Sequence, residues 1–260
     1  QLGSSLDPLK GEGYIFKLGV TPDALVDMAD VIVVSPSVPL NLPYAQKAKQ
    51  QGKEVLAELE LAFRLCKAPC VAITGTNGKT TTTTLTGQMF MDANRGTFVV
   101  GNIGNPYITY SLQAKPEDTM VCEVSSYQLE GITDFGPKAA ALLNITPDHL
   151  DRHKIMENYI DTKKRIFMNQ TPEDYAVLNY DDITVRNMAE ALNSKVLFFS
   201  STQKLDEGIF IENDAMVYNF EGIRAEIIPI KDIRIKGRHN LENAMAATAI
   251  AMVSGILPES

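Results

Sequence analysis

The chain has 260 residues, of which 45% are hydrophobic and 22% charged, an ordinary globular composition that allows one large or two smaller domains. Its net charge of −8 argues against non-specific binding to nucleic acid or to an anionic membrane. No apolar run approaches the ~20 residues that span a bilayer, so we predict no membrane insertion. The three cysteines, Cys66, Cys70 and Cys122, lack paired metal-ligand spacing and fit a reducing, cytoplasmic location.

The first part of the chain alternates between strand-like and helix-like segments. "ADVIVVSPSVP", residues 29–39, is an apolar run closed by a Ser-Pro-Ser turn, and a helix, a strand-like "EVLA" and another helix follow. Ligands of open parallel sheets lie beyond the carboxyl ends of the strands, which makes Ser35, Pro36 and Ser37 candidate ligand contacts. The alternative is an ordinary strand-ending turn. The "KAP" at 67–69 predicts a boundary between domains 1–66 and 67–260.

The segment "TGTNGKTTTT", residues 74–83, lies between a strand-like "CVAI" and a helix-like "TLTGQMF". Gly75 and Gly78 permit backbone conformations that point successive N–H groups into one concavity, and the helix that follows adds its positive dipole end. Lys79 supplies a mobile positive charge, and the hydroxyl of Thr80 or Thr81 suits the Mg²⁺ that accompanies a nucleoside triphosphate. The pattern therefore predicts a phosphate-binding turn.

This turn departs from the usual P-loop spacing. Only Thr76 and Asn77 separate its two glycines, whereas the usual pattern has four residues there. The alternative is an ordinary turn between a strand and a helix, with a solvated lysine. The preceding strand, the following helix and the run of threonines favour the phosphate site.

Later strand-like segments also end in polar groups. "VVGNIGNP" places Asn102 after a strand, "VCEVSSYQLE" places Glu123 at the end of another, and "LLNITPDHLDRH" places His149 after a third. Glu123 is a candidate Mg²⁺ ligand, with a surface carboxylate as the alternative. For His149 alone, a structural hydrogen-bonding role is the alternative to metal binding.

The strands and helices from residue 67 onward alternate, which predicts a mostly parallel sheet covered on both faces. Residues 209–230 alternate and turn like antiparallel strands, and "NLENAMAATAIAMVSGI" is typical of a helix. The fold class is therefore α/β: a partial Rossmann-like N-terminal domain followed by a P-loop-type central domain with a small antiparallel extension.

Two further segments carry candidate residues. "YIDTKKRIFMN", residues 159–169, is an amphipathic helix whose basic cluster at 163–165 ordinarily forms a solvated face. In "GRHNLENA", Asn240 and Asn243 share a face at a helix start, where their carboxamides either cap the helix or contact an adenine edge.

Six ordered motifs together resemble the Mur ligase family: "TGTNGKTT", "GNIGNP", "EVSSYQLE", "NITPDHLDRH", "YIDTKKRIF" and "KGRHNLENA". Within that family, "SPSVP" combined with "SSYQLE" is most similar to the members that add D-glutamate to UDP-N-acetylmuramoyl-L-alanine. The resemblance implies an ATP-dependent amide ligation in peptidoglycan synthesis. In this reaction the precursor carboxylate attacks the γ-phosphate and the amine of D-glutamate displaces the resulting acyl phosphate. It further implies a cytoplasmic monomer with ATP and two Mg²⁺ ions.

The resemblance also assigns roles to residues. The residues that it implies for catalysis are Lys79, Glu123, His149 and Lys163. Thr80 and Glu123 are implied as ligands of the first Mg²⁺. His149 and Lys163, the latter as a carbamate, are implied for the second Mg²⁺. ATP is implied to contact Gly75, Thr76, Asn77, Gly78, Lys79, Thr80, Thr81, Asn240 and Asn243. The precursor is implied to contact Ser35, Pro36, Ser37, Asn102, Ser125 and Gln128.

Two departures limit the resemblance. Many members have glycine at the position of Ser37, and the front of the first domain and the amino-acid-binding third domain have no counterpart in residues 1–260. We therefore expect these residues alone not to complete the ligation, because nothing in them would position the amine. Another Mur-type ligase, a folylpolyglutamate synthase relative and a non-catalytic nucleotide-binding module are the alternatives.

Overall fold

The computed structural model describes residues 13–258. The chain consists of two compact units. One unit comprises Gln1–Ile32 and Pro39–Val55, and the other comprises Val33–Val38 and Leu56–Ser260. The start of the predicted first domain, residues 1–12, lies outside the described residues. The second unit begins before the predicted boundary at residue 67, so the helix that precedes "KAP" belongs to the second unit.

Glu60 gives the physical reason for that difference. Its carboxylate is fully buried and accepts hydrogen bonds from the backbone N–H groups of Thr133, Asp134 and Phe135 at 2.8–3.1 Å. Arg64 donates to the same carboxylate at 2.8 Å. These contacts tie the helix Glu58–Leu65 to the second unit.

The first unit contains two short helices that are joined by side-chain contacts. Lys47 Nζ donates to Asp27 Oδ2 at 2.6 Å, and Lys53 Nζ donates to the carbonyl of Val26 at 2.7 Å. The elements in this part of the chain are α1 (Pro22–Leu25), a 3₁₀ turn (Val26–Met28), β1 (Val31–Val34), α2 (Pro43–Gln50) and β2 (Glu54–Ala57). β1 and β2 pair in a two-stranded sheet, as the alternating pattern predicts.

The second unit contains a nine-stranded sheet with helices between most strands. Its first half comprises α3 (Glu58–Leu65), β3 (Cys70–Thr74), α4 (Lys79–Asp92), β4 (Thr97–Gly101), α5 (Ile108–Ser111), β5 (Thr119–Glu123), α6 (Ser126–Leu129) and β6 (Ala139–Leu142). Next come α7 (Leu150–His153), α8 (Met156–Lys164), a 3₁₀ turn (Arg165–Phe167), β7 (Tyr175–Asn179), α9 (Ile183–Arg186) and a 3₁₀ turn (Ala189–Ala191). The last part comprises β8 (Lys195–Phe199), β9 (Gly208–Glu212), β10 (Ala215–Phe220), β11 (Ile223–Pro229), a 3₁₀ turn (Ile230–Asp232) and α10 (Arg238–Val253).

The strand order of this sheet is β11-β10-β9-β8-β7-β6-β3-β5-β4. Neighbouring strands from β4 to β9 are parallel, and β9, β10 and β11 are antiparallel. The predicted α/β class, with a mostly parallel sheet and a small antiparallel extension, is therefore confirmed. Strand β3 lies between β5 and β6, so the carboxyl ends of these three parallel strands, with their polar residues, lie side by side.

Both faces of the sheet are covered. Along β3, Cys70 and Ala72 belong to one hydrophobic cluster, which includes side chains of α3 and α8. Val71 and Ile73 belong to a second cluster, to which α4 and α10 contribute. This alternation follows from the two-residue period of a strand. In the part of the chain that the structure describes, no helix is both long and apolar enough to cross a membrane.

Candidate functional site

The phosphate turn connects the end of β3 to the start of α4. Gly78 is the residue before α4 and has φ 85°, a left-handed conformation that favours glycine. A Cβ atom at this position would overlap Asn243 Oδ1. Asn77 and Asn144 fix the turn to the end of β6, because Asn77 N donates to Asn144 Oδ1 at 2.8 Å and Asn144 Nδ2 donates to Asn77 O at 3.1 Å.

Lys79 folds back over the turn that precedes it. Its Nζ donates to the carbonyl oxygens of Gly75 and Thr76 at 3.0 and 2.8 Å. Burial lowers the pKa of Lys79, whereas the negative charges of Glu123 and Asp148 act in the opposite direction. This ammonium group is therefore a partly desolvated positive charge, held at the mouth of the predicted phosphate site.

Lys163 lies under the same turn. Its side chain is 1% exposed, and its Nζ donates to the carbonyl oxygen of Gly75 at 2.8 Å and lies 4.8 Å from the ring centre of Tyr159. Burial, and then the charge of Lys79, lower the pKa of Lys163 to about 7. The ordinary interpretation of the basic cluster as a solvated face is therefore wrong for Lys163.

Glu123 ends β5 beside the first turn of α4. Its side chain is buried, and its two carboxylate oxygens accept from Thr80 Oγ1 and Asn102 Nδ2, each at 2.8 Å. The surface-carboxylate alternative is therefore wrong. Hydroxyl and carboxylate oxygens are the donors that Mg²⁺ prefers, so Thr80 and Glu123 fit this ion. Within residues 13–258 there is no group of three or more His, Cys, Asp or Glu residues suited to a metal.

His149 is the residue before α7 and has a left-handed backbone, with φ 51° and ψ 29°. Its side chain is 44% exposed. The hydroxyl of Tyr127 lies 3.2 Å from Nδ1, and Asp148 Oδ2 lies 3.4 Å from Nε2. Tyr159 brings His149 and Lys163 into one neighbourhood, because its ring centre is 6.4 Å from that of His149.

Helices α6 and α7 are joined by further side-chain contacts that the sequence analysis missed. Arg152 donates to Glu130 at 2.6 Å, and His153 Nε2 lies 3.0 Å from the hydroxyl of Ser126. Burial lowers the pKa of His153, although the Glu130 carboxylate acts in the opposite direction. The sequence offered one sign that "SSYQLE" and "DHLDRH" lie close together: each motif follows the end of a strand.

The predicted precursor contacts have other partners in this structure. Ser125 and Gln128 form a capping box at the start of α6: Ser125 N donates to Gln128 Oε1 at 2.9 Å, and Ser125 Oγ accepts from Gln128 N at 3.4 Å. Gln128 is buried, and Asn102 contacts Glu123. Residues 35–37 form a turn after β1, closed by a 2.9 Å hydrogen bond from Val38 N to Ser35 O.

A cavity of about 860 Å³ adjoins the phosphate turn. Asn77, Gly78 and Asn243 line it beside the turn, and Asn179 and Asp182 line it at the end of β7. Asn240 instead donates to Lys236 O at 2.9 Å, so Asn243 alone of the two carboxamides reaches the cavity. The strand-end rule that identified Glu123 also applies to Asn179 and Asp182, which the sequence analysis did not select.

Two relatives that are about half identical to this chain are both named as D-glutamate ligases. A UDP-N-acetylmuramoylalanine–D-glutamate ligase of Alkaliphilus metalliredigens is 49% identical over 260 residues, covering 99% of this chain and 57% of the relative. The ligase of the same name from Clostridioides difficile is 49% identical over 258 residues, covering 98% of this chain and 57% of the relative. The chain thus spans a little over half the length of these relatives.

Solved structures share the fold at lower identity. A UDP-N-acetylmuramate:L-alanyl-γ-D-glutamyl-meso-diaminopimelate ligase from Neisseria meningitidis has a TM-score of 0.63 at 18% identity, covering 98% of this chain and 83% of that one. The MurF ligase of Thermotoga maritima, solved in complex with ADP, has a TM-score of 0.57 at 18% identity, covering 86% of this chain and 60% of that one. The family model of the Mur ligase middle domain matches residues 73–251, which include the phosphate turn, Glu123, His149 and Lys163, and the chain therefore belongs to the Mur ligase family.

Proposed function

We propose that this protein is an ATP-dependent ligase that adds D-glutamate to UDP-N-acetylmuramoyl-L-alanine in peptidoglycan precursor synthesis. The observation that carries the proposal is the phosphate turn, in which Lys79 lies over the Gly75 carbonyl and Thr80 contacts Glu123 at 2.8 Å. The 49% identity to D-glutamate ligases supports this substrate over those of other Mur-type ligases and of folylpolyglutamate synthase. A non-catalytic nucleotide-binding module is disfavoured because Glu123, His149 and Lys163 surround the same turn.

The proposed reaction has two steps. An oxygen of the precursor carboxylate attacks the γ-phosphorus of ATP, the bond to the bridging oxygen breaks, and ADP leaves. The amine of D-glutamate then attacks the acyl carbon, loses a proton, and expels inorganic phosphate. Lys79 would shift from the carbonyls of Gly75 and Thr76 to the phosphates, where its charge lowers the repulsion between the reacting anions.

Thr80 and Glu123 would hold the first Mg²⁺, because they offer the hard oxygen donors that this ion prefers. Bound Mg²⁺ neutralises phosphate charge and shields the attacking carboxylate. His149 and Lys163 would hold a second Mg²⁺, with Lys163 as a carbamate. Burial favours the uncharged amine that reacts with CO₂, and the carbamate product is an anionic oxygen ligand.

The remaining assignments are also proposals. Asn243 would contact the adenine in the cavity beside the turn, and Asn240 would support Asn243 by accepting a hydrogen bond from its amide at 3.4 Å. Ser35, Pro36 and Ser37 would contact the uridine diphosphate, and Asn102, Ser125 and Gln128 the rest of the precursor. Residues 1–66 would bind the precursor, and residues 67–260 would bind ATP. The protein would act in the cytoplasm, where ATP is available, and as a monomer.

Single-turnover ADP formation with individual acceptors tests the function. We expect ADP with UDP-N-acetylmuramoyl-L-alanine. Incorporation of labelled D-glutamate should require an amino-acid-binding domain supplied in trans, because residues 1–260 alone are not expected to position the amine. UDP-N-acetylmuramate, the dipeptide-bearing precursor and a folate are the matched comparisons. ADP formation with one of these instead would move the assignment to the corresponding ligase, and ATP binding without turnover on any acceptor would favour the non-catalytic module.

A further inference from the structure

The imidazole of His149 has a partner at each of its nitrogens. Tyr127 Oη lies 3.2 Å from Nδ1, and Asp148 Oδ2 lies 3.4 Å from Nε2. Asp148 also accepts from the backbone N–H of His149 at 2.8 Å, through its other oxygen. The proposed reaction uses His149 as a metal ligand and gives Tyr127 no role.

Tyr127 is held by its own neighbours. The guanidinium carbon of Arg152 lies 5.5 Å from the centre of its ring, and the ring stacks on His153 with centroids 6.0 Å apart and planes 18° apart. These contacts fix the position of the hydroxyl at the end of the ring. A tyrosine hydroxyl can act both as a donor and as an acceptor.

The side chain of His149 has two polar neighbours that can orient it, Tyr127 and the preceding residue Asp148. The residue is in the left-handed region, which non-glycine residues occupy at a cost, and its side chain is 44% exposed. An imidazole in that position is free to rotate about the bond to its ring unless one nitrogen is held. The Tyr127 hydroxyl supplies that contact at Nδ1 and thereby directs Nε2 towards Asp148.

We propose that Tyr127 is a positioning residue for His149: its hydroxyl holds Nδ1, so that Nε2 and the Asp148 carboxylate face a single cation position. The inference rests on the proposed function, in which His149 holds the second Mg²⁺. Metal-binding histidines generally have a hydrogen-bonding partner at the other ring nitrogen, and that partner sets the tautomer and the ring orientation.

A hydroxyl suits both states of this site. When the ring proton is on Nε2, which lies 3.4 Å from Asp148 Oδ2, the Tyr127 hydroxyl can donate to Nδ1. With a cation on Nε2, the ring proton resides on Nδ1 and the hydroxyl turns to accept it.

The three histidines of the chain make this arrangement measurable by ¹⁵N nuclear magnetic resonance. In ¹⁵N-histidine-labelled protein free of metal and nucleotide, we expect His149 as the Nε2–H tautomer with an Nδ1 resonance typical of a hydrogen-bonded acceptor. Tyr127→Phe should move that Nδ1 resonance to the position of a free acceptor and leave His239 unchanged. The control is Tyr110→Phe, which removes a hydroxyl that accepts from Asn105 at 3.0 Å and should leave His149 unchanged. If Nδ1 of His149 in the unaltered protein has the chemical shift of a nitrogen that accepts no hydrogen bond, the proposal is overturned, and no variant is needed to show it.

The second measurement adds Mg²⁺ with a non-hydrolysable ATP analogue. We expect His149 to convert to the Nδ1–H tautomer, and Tyr127→Phe to weaken the Mg²⁺ dependence of that conversion roughly 10-fold. Equal Mg²⁺ dependence in Tyr127→Phe and the unaltered protein would overturn the positioning role. If the unaltered protein binds no nucleotide, the proposed function fails, whereas the metal-free Nδ1 resonance still decides whether Tyr127 positions His149.

Discussion

Lys79 and Lys163 donate to the same acceptor, the carbonyl oxygen of Gly75, at 3.0 and 2.8 Å. One lysine comes from α4 and the other from α8, and the positive charge of Lys79 helps to lower the pKa of Lys163. Two like charges on one neutral oxygen are a poor electrostatic arrangement, and an anion in the turn would relieve it.

Lys79→Ala should remain folded and lose nucleotide affinity. The side chain contacts only the carbonyls of the turn, and its charge is expected to contact phosphate when ATP binds. We expect a loss of about 2 kcal/mol or more, a roughly thirtyfold weaker dissociation constant by isothermal titration calorimetry. Lys164→Ala is the control on a neighbouring basic residue. Unchanged affinity in folded Lys79→Ala would remove the phosphate-turn assignment.

Lys163→Ala should bind ATP but form no acyl phosphate. The variant lacks the proposed carbamate that would hold the second Mg²⁺, so a short carboxylic acid such as acetate should restore part of the activity. ADP formation with the precursor, measured with and without acetate, is the readout. Lys164→Ala should be active without acetate. The carbamate proposal fails if Lys163→Ala is fully active, or if Lys164→Ala shows the same loss and the same rescue.

The stability contributed by Lys163 should depend on pH. Its pKa is about 7 in the folded protein, against about 10.4 for an ordinary lysine, so between these values the unfolded chain binds more protons. The stability of the unaltered protein should therefore rise relative to Lys163→Met as pH increases from about 7 to about 10.4. Urea unfolding in CO₂-free buffer measures this difference, with Lys164→Met as the control. A constant difference across that range would contradict the burial of a titrating Lys163.

Gly78→Ala should be more damaging than an alanine at another left-handed glycine. Gly222 has φ 77° and open space around it, so Gly222→Ala should cost about 1–2 kcal/mol from backbone strain alone. At Gly78 the new Cβ would also overlap Asn243 Oδ1 and displace the carboxamide from the cavity wall. We expect Gly78→Ala to lose more unfolding free energy and to weaken ATP binding, whereas Gly222→Ala keeps its affinity. Equal losses for both variants would show that the contact with Asn243 is unimportant.

Glu60→Gln should destabilise the second unit. Burial alone would raise the pKa of Glu60, but the hydrogen bonds from Thr133, Asp134 and Arg64 outweigh burial and lower it. The carboxylate therefore contributes stability that is complete above an ordinary pKa of about 4.3 and is lost as pH falls through the lower folded-state value. At neutral pH we expect a loss of about 2 kcal/mol in urea unfolding. The difference from the unaltered protein should shrink in acid, and a difference that grows there would contradict this account.

The fold was predictable because its signals are local. Apolar runs, the glycine turn at 75–78 and the threonines after Lys79 specify strand, turn and helix within a few residues of one another. The rule that ligands lie at the carboxyl ends of strands also identified Glu123, because this residue is the last of β5. The domain boundary at residue 67 stays a prediction, and the contacts of Glu60 with Thr133, Asp134 and Phe135 lie too far along the chain for a local pattern to reveal them.

The other parts of the site depend on tertiary contacts that no local pattern encodes. "TKKR" has the same composition whether its lysines are solvated or buried, and only the packing of α8 against the turn decides that Lys163 is inside. The contact between Tyr127 and His149 joins two motifs that separate strand ends bring together. The roles proposed for Ser35, Asn102 and Gln128 came from family resemblance and stay predictions.

The position of β3 between β5 and β6 also has a consequence for folding kinetics. Thr80 meets Glu123, and Asn77 meets Asn144, only after both parallel crossovers have closed, and contacts of such long sequence separation form late. A chain in which these crossovers are still open therefore lacks the Thr80–Glu123 and Asn77–Asn144 contacts of the turn. A nucleotide that binds these groups will slow the unfolding rate and leave the refolding rate nearly unchanged, so it protects molecules that have already folded.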